Sequence, residues 1–269
     1  MPESNRELEI IINYMEAHWP SPVKPEWQVA MDEYPALLKK VIADFTLHAT
    51  KNARLIRVAG LSGSGKTTQI LPAVEAYCEQ NNYKPILVAA RRFVGYHPHL
   101  QEIRDYYGEE NLRKNTDEFS TILMFMTLVE LFRHNYDIVL DVTLLDPEIE
   151  GLLLKVLSSM NYAALFLMTA TSPTVTEHFL SGRAWRHTKE TEEEFIRATS
   201  KALRFYAKSA PDYRIVIWSV YDELPVYDGP IGGCLDVFDD YSKREELPSQ
   251  SADLCREAKI KYLTSIKAD

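Results

Sequence analysis

A chain of 269 residues, 46% hydrophobic and 26% charged, carries enough apolar material for one large α/β domain with additions, and such a composition excludes wholesale disorder. The formal net charge of -9 argues against a nucleic-acid partner, whose phosphate backbone calls for excess Lys and Arg on one face. No apolar run reaches the roughly 20 residues of a membrane span and the polar start MPESNRELE lacks a signal peptide's regions, so a cytoplasmic protein with no membrane contact is expected.

In chain order, Glu7 to Glu16 places Leu8, Ile11, Ile12 and Met15 at helical spacing before WPSPVKP interrupts the pattern with three prolines, which predicts a short helix on a stiff linker. A second amphipathic stretch runs from about Pro25 to Thr50. Strand-like and helix-like segments then alternate: ARLIRVAG as a strand, Lys66 to Gln80 as a helix, PILVAA as a strand, helices over His99 to Tyr107 and Thr116 to His134, and YDIVLDV as a buried strand. Pro147 to Met160 reads as helix, YAALFLMTA as strand, Glu190 to Ala207 as helix and DYRIVIWSV as the closing strand. This alternation predicts an α/β fold with a mostly parallel central sheet and helices on both faces. Ligands then belong at the carboxyl ends of the strands. Cys78, Cys234 and Cys255 form no C-x-x-C pair, and reduced thiols are expected.

The segment GLSGSGKTT, Gly60 to Thr68, fits G-x-x-x-x-G-K-S/T between an apolar strand and a helix, the setting in which that pattern cradles nucleotide phosphates. Gly60, Gly63 and Gly65 permit backbone dihedrals that turn N–H groups inward, with Ser62, Ser64, Thr67 and Thr68 between and after them. The helix from Lys66 adds its positive end. Lys66 is read as the cation on the outer phosphates and Thr67 as a Mg²⁺ ligand, so ATP and Mg²⁺ are the expected cofactors. Asp141 ends the run YDIVLD, where it is read either as the acid beside the metal or as a cap on the following turn. There is no N-K-x-D guanine-reading motif, which favours a metabolite-type kinase over a GTPase switch.

With this loop, RRFVGYHPHLQEIRDYYGEE, YDIVLDVTLLD and WSVYDELPVYDG in the same order, the sequence resembles the zeta-toxin family over about Met31 to Asp240. The resemblance implies a P-loop kinase that phosphorylates a hydroxyl of UDP-N-acetylglucosamine as the toxin of a toxin–antitoxin system. The family's D-S/T-F-K/R element is matched here by Phe93, followed by His97, Pro98 and Glu102, but Arg91 and Arg92 stand where the Asp, its proposed general base, and the hydroxyl residue belong. Arg cannot accept a proton near neutral pH. The family's acid-G-T-x-R block reads Asp141-Val142-Thr143-Leu144-Leu145, keeping acid and threonine and losing the arginine.

Arg183 and Arg186 of SGRAWRHTKE match the family's two phosphate-binding arginines, and in the absence of the resemblance they read equally as solvated charges. His97, Glu102 and Thr143 are expected on the acceptor side by resemblance; His97 alone reads as well as a packed loop residue. Lys66, Asp141, Arg183 and Arg186 form the expected catalytic set. Three functions stay open: a nucleotide-sugar kinase, a kinase of another small alcohol such as a nucleoside or antibiotic, and a nucleotide-binding pseudokinase with Arg91 in the acceptor site. Residues 1–30 are read as a separate extension on a kinase domain of residues 31–269. By the same resemblance an antitoxin partner acts in trans, or the amino-terminal segment acts in cis; a helix packed permanently on the scaffold is the alternative.

Overall fold

In a computed structural model of the chain, residues 13, 22–48, 50, 52–144, 147–160, 162–180, 189–220, 222–246 and 251–266 are described. Apart from residue 13, the expected helix over Glu7 to Glu16 lies outside them, as do Arg183 and Arg186. The described helices of two turns or more are α1 (Tyr34–Asp44), α2 (Leu71–Gln80), α3 (Leu100–Tyr107), α4 (Leu112–Arg133) and α5 (Pro147–Ser159), then α6 (Pro173–Leu180), α7 (Lys189–Ser209), α8 (Leu235–Tyr241) and α9 (Ala252–Ser265). The strands are β1 (Arg54–Ala59), β2 (Ile86–Val88), β3 (Ile138–Asp141), β4 (Ala163–Ala170), β5 (Arg214–Ser219) and β6 (Tyr227–Pro230). They make one six-stranded sheet in the order β2-β3-β1-β4-β5-β6. β1 to β4 and β4 to β5 are parallel, and β6 closes on β5 antiparallel. This is the mostly parallel P-loop kinase fold anticipated from the alternation of elements.

The chain divides into two compact units, Met1–Lys51 with Ile86–Ile138, and Asn52–Pro85 with Val139–Asp269. In the first, α4 carries Leu123, Met124, Leu131 and Phe132, all almost fully buried. Val23 packs with Ile103 and Leu112, and Trp27 meets Tyr106 edge-on at 5.5 Å. The Lys24 ammonium lies 3.5 Å from the centre of the Tyr106 ring. Residues 22–27, which span the end of the stretch read from sequence as linker, are thus held on α3.

In the second unit, β1 is buried over almost its whole length, as expected of a strand with neighbours on both edges. One core gathers Ala59, Phe166, Met168, Ala202, Leu203, Tyr206, Ile215 and Ile217, drawing on β1, β4, β5 and α7. The helix after the phosphate loop opens with a π turn over Lys66–Ile70 before α2 begins; the Ile70 N–H reaches the Gly65 carbonyl at 3.4 Å and the Leu71 N–H bonds to the Lys66 carbonyl. Pro72 accounts for this widening, since its ring would press on the carbonyl four residues back, that of Thr68.

Helix α9 packs on α2 and on that π turn, with Gln80 Nε2 donating to the Thr264 carbonyl at 3.0 Å. Leu263 is fully buried, so we predict that Leu263→Ala destabilises the protein by about 2–5 kcal/mol. A urea unfolding series measures this, and an unchanged midpoint would mean that α9 adds nothing to the fold.

Candidate nucleotide and acceptor site

The phosphate loop joins β1 to the π turn. Gly60, Gly63 and Gly65 all have positive φ, at 138°, 79° and 85°. At Gly60 the constraint is also one of space, because a Cβ there would overlap Oγ1 of Thr169 on β4. The Ser64 and Thr169 hydroxyls are 2.5 Å apart, and Ser64 Oγ donates to the Leu61 carbonyl at 2.7 Å. A buried serine thus fastens the loop to β4. The Lys66 ammonium donates to the carbonyls of Gly60 and Leu61, each at 2.6 Å, which lays it along the loop.

Opposite β4, the end of β3 approaches the same loop. Val142 N–H donates to the Val58 carbonyl at 3.2 Å, and Thr143 Oγ1 lies 3.4 Å from the Gly60 carbonyl. Asp141, the last residue of β3, is 8% exposed, whereas the Thr67 hydroxyl belongs to an exposed residue of the π turn. Among the expected residues of this unit, Gly60, Lys66 and Thr143 are therefore directly linked, and Ser64 joins them through the Leu61 carbonyl that it shares with Lys66. Thr67, Thr68, Ser62 and Asp141 lie on the elements that flank them.

The donor set suits a hard cation. A hydroxyl and a carboxylate are the oxygen ligands that Mg²⁺ takes while keeping waters and substrate phosphates. Among the described residues no group of three or more His, Cys, Asp or Glu could hold a metal unaided, so a cation here would draw most of its ligands from phosphate and water.

Sequence reasoning missed the group beneath Thr143. Arg57 of β1 is 1% exposed, and its guanidinium grips Glu150 of α5 with bonds of 2.6 and 2.8 Å. Its Nη2 also donates to the Thr143 carbonyl at 3.1 Å. Tyr206 of α7 completes the group by donating to Glu150 at 2.8 Å; burial first, and then the Glu150 charge, hold its phenol well above the usual range. The only hint in sequence is an arginine inside an otherwise apolar strand.

His97, Glu102 and Arg91 belong to the first unit. His97 is buried against Phe119, ring centres 4.5 Å apart, and its Nδ1 accepts from the His99 N–H at 3.1 Å. Burial pushes its pKa down to about 4, so near neutral pH the ring is uncharged with its proton on Nε2. Glu102 is exposed on the first turn of α3, 3.7 Å from His99, and Arg91 is exposed just after β2.

A family model described as zeta toxin matches residues 40–225. Among solved structures, one from the PezAT chromosomal toxin–antitoxin system of Streptococcus pneumoniae aligns with a TM-score of 0.65 at 18% identity, covering 88% of this chain and 98% of that one. The native AvrRxo1-ORF1:ORF2 complex aligns with a TM-score of 0.51 at 12% identity, over 97% of this chain and 85% of that one. Its form with sulphate ions gives 0.50 at 12% identity, over 97% and 86%. At these identities the likeness concerns the fold. No curated protein matches the chain significantly.

Gly60→Ala is predicted to cost at least about 3 kcal/mol, through both φ and the overlap with Thr169. Gly95→Ala, with nothing within 4 Å of the added methyl, should cost less than about 0.5 kcal/mol; thermal melts compare the two. For His97 the folded pKa lies below the unfolded one, so its contribution to stability is complete above about pH 6.5 and is lost as pH falls toward 4. Denaturation between pH 7 and 4 should show this loss, reduced in His97→Gln; an identical pH dependence in the two proteins would refute it.

Proposed function

We propose that this chain, which belongs to the zeta-toxin family, is an ATP-dependent kinase that transfers the γ-phosphate to a hydroxyl of UDP-N-acetylglucosamine or a related nucleotide sugar. The observation that carries the reading is the loop of Gly60, Gly63 and Gly65, all at positive φ, fastened through Ser64 to β4 and followed by Lys66 at the start of a helix. Such a loop aims backbone N–H groups and a helix dipole at one point, which suits a triphosphate. Lys66 swings from the Gly60 and Leu61 carbonyls to the outer phosphates. Thr67 and Asp141 hold Mg²⁺, which when bound neutralises charge on the transferring group. Thr143 orients the acceptor from the loop side, and Arg183 and Arg186 add guanidinium charge to the transition state.

The acceptor hydroxyl finds Arg91 where the family has its acid. A loose transition state asks little of a base, whose help is worth about 10² to 10⁴ in rate; the reaction is slow, with Asp141 the proposed substitute. Loss of the family's arginine at Leu145 supports a second reading, transfer to another small alcohol. The pseudokinase reading rests on Arg91 alone. An antitoxin in trans, or the amino-terminal segment of residues 1–30 acting in cis, is the proposed regulator.

Incubation with ATP, Mg²⁺ and a panel of nucleotide sugars, followed by mass spectrometry, tests the assignment. We expect one added phosphate on the acceptor, a loss of about 10²- to 10³-fold in Lys66→Ala, and a gain of up to about 10⁴-fold in Arg91→Asp. Calorimetry showing no heat from ATP, together with full activity in Lys66→Ala, would end the kinase reading.

A further inference from the structure

The arginine buried in β1 sits where thermodynamics gives it no advantage. Taking a guanidinium and a carboxylate out of water costs several kcal/mol each, and well-packed apolar residues in their place are often neutral or stabilising. Arg57 Nε has no hydrogen-bond partner, so even this pair is incompletely satisfied. What the pair supplies beyond stability is geometry. Two bonds to Glu150 pin the first turn of α5 to β1, and the remaining Nη2 proton reaches the Thr143 carbonyl. One side chain thereby holds both ends of the connection from residue 143 to residue 150.

The same connection is tied to β1 twice more, by Val142 N–H on the Val58 carbonyl and Thr143 Oγ1 beside the Gly60 carbonyl. Residues 57 and 58 of β1, with Gly60 just beyond it, therefore set Val142 and Thr143, and through them Asp141. Leu144, 1% exposed, is sunk in the core that also holds Ala59 and Tyr206. The Gly60 carbonyl that Thr143 approaches is also one of the two that hold Lys66. An unbroken series of contacts runs from the buried ion pair to the lysine of the phosphate loop.

We propose that Arg57, braced by Glu150 and Tyr206, is a positioning residue that sets the Asp141–Thr143 turn against the phosphate loop and so couples nucleotide binding to Mg²⁺. The inference rests on the kinase reading for Asp141 and Thr143. It assigns Arg57 no contact with substrate.

The test removes the polar group while keeping the core filled, in Arg57→Met/Glu150→Leu/Tyr206→Phe. Calorimetry with a non-hydrolysable ATP analogue, with and without Mg²⁺, is compared with wild type. We expect a two-state melt, Mg²⁺-free affinity within about threefold of wild type, and the tightening by Mg²⁺ reduced at least tenfold. A folded variant that keeps the wild-type response to Mg²⁺ overturns the proposal. Should the triple variant not fold, Arg57→Lys serves instead, because an ammonium keeps the charge without the planar fork that spans Glu150 and Thr143; it should lose part of the Mg²⁺ response, and full retention is again fatal. Wild-type protein that binds no nucleotide refutes the kinase reading, and hydrogen exchange then decides the clamp by itself. Protection of the Val142 amide should fall at least tenfold in the variant while that of Val216 holds, and unchanged protection of Val142 excludes the clamp.

Discussion

The narrow gap between the end of β1 and β4 governs this molecule. Parallel pairing brings Ala59 opposite Met168, and one residue further the chain must turn away beside Thr169 without a side chain, which Gly60 alone allows. The Thr169 hydroxyl then meets Ser64, so the contact that forbids a Cβ also fixes the loop's far limb. A register slip of one residue along β1 would present an alanine or a leucine to Thr169 and close the loop. The position of the cradle is therefore set by sheet pairing, an extensive backbone interaction, and only trimmed by the loop's own bonds.

Electrostatics at the site follow from burial more than from net charge. The chain is acidic overall, yet the charges at the phosphate loop are arranged locally: an ammonium lying on two carbonyls, a carboxylate at the end of β3, and a buried guanidinium paired with Glu150. The Lys66 ammonium bonds to the Gly60 and Leu61 carbonyls, neutral dipoles that release a cation more readily than an opposing carboxylate does. The pair of Arg57 and Glu150 lies one layer deeper, where it shapes the backbone.

Much of this was legible in sequence. The loop needed only its glycine spacing and its place between a strand and a helix, both local properties, and the apolar runs of β1, β4 and β5 marked a buried parallel sheet. The helix break at the π turn was not read, since Pro72 is tolerated in a first turn and its pressure on Thr68 shows only in three dimensions. Arg57 and Glu150 were silent because they are 93 residues apart; each separately resembles a solvated charge on a strand or helix. Short elements such as α6, β6 and α8 were lost for lack of periodicity, as few residues give few repeats. His97 reads from sequence equally as a pocket or a packed residue, and its edge-on contact with Phe119 of α4 is one that no local pattern connects to it.

The loop is supported from its helix side by elements beyond the residues the family model matches. Helix α9 follows residue 225, lies on α2 and the π turn, and buries Lys259, whose ammonium donates to the Asp222 carbonyl at 2.5 Å just past β5. Burial pushes that ammonium's pKa down to about 8, a cost that the contact must offset for the helix to dock. Trp218 of β5 meets Tyr262 of the same helix edge-on at 5.8 Å, and Tyr262 in turn donates to Asp228 on β6. Two strands and the loop's helix are thus joined through one carboxyl-terminal segment. Phosphoryl transfer gains its rate from groups already in place rather than from new covalent chemistry. A loop anchored by Thr169 at one end and by a docked helix behind the other meets that requirement through packing, leaving the lysine side chain as the part that moves.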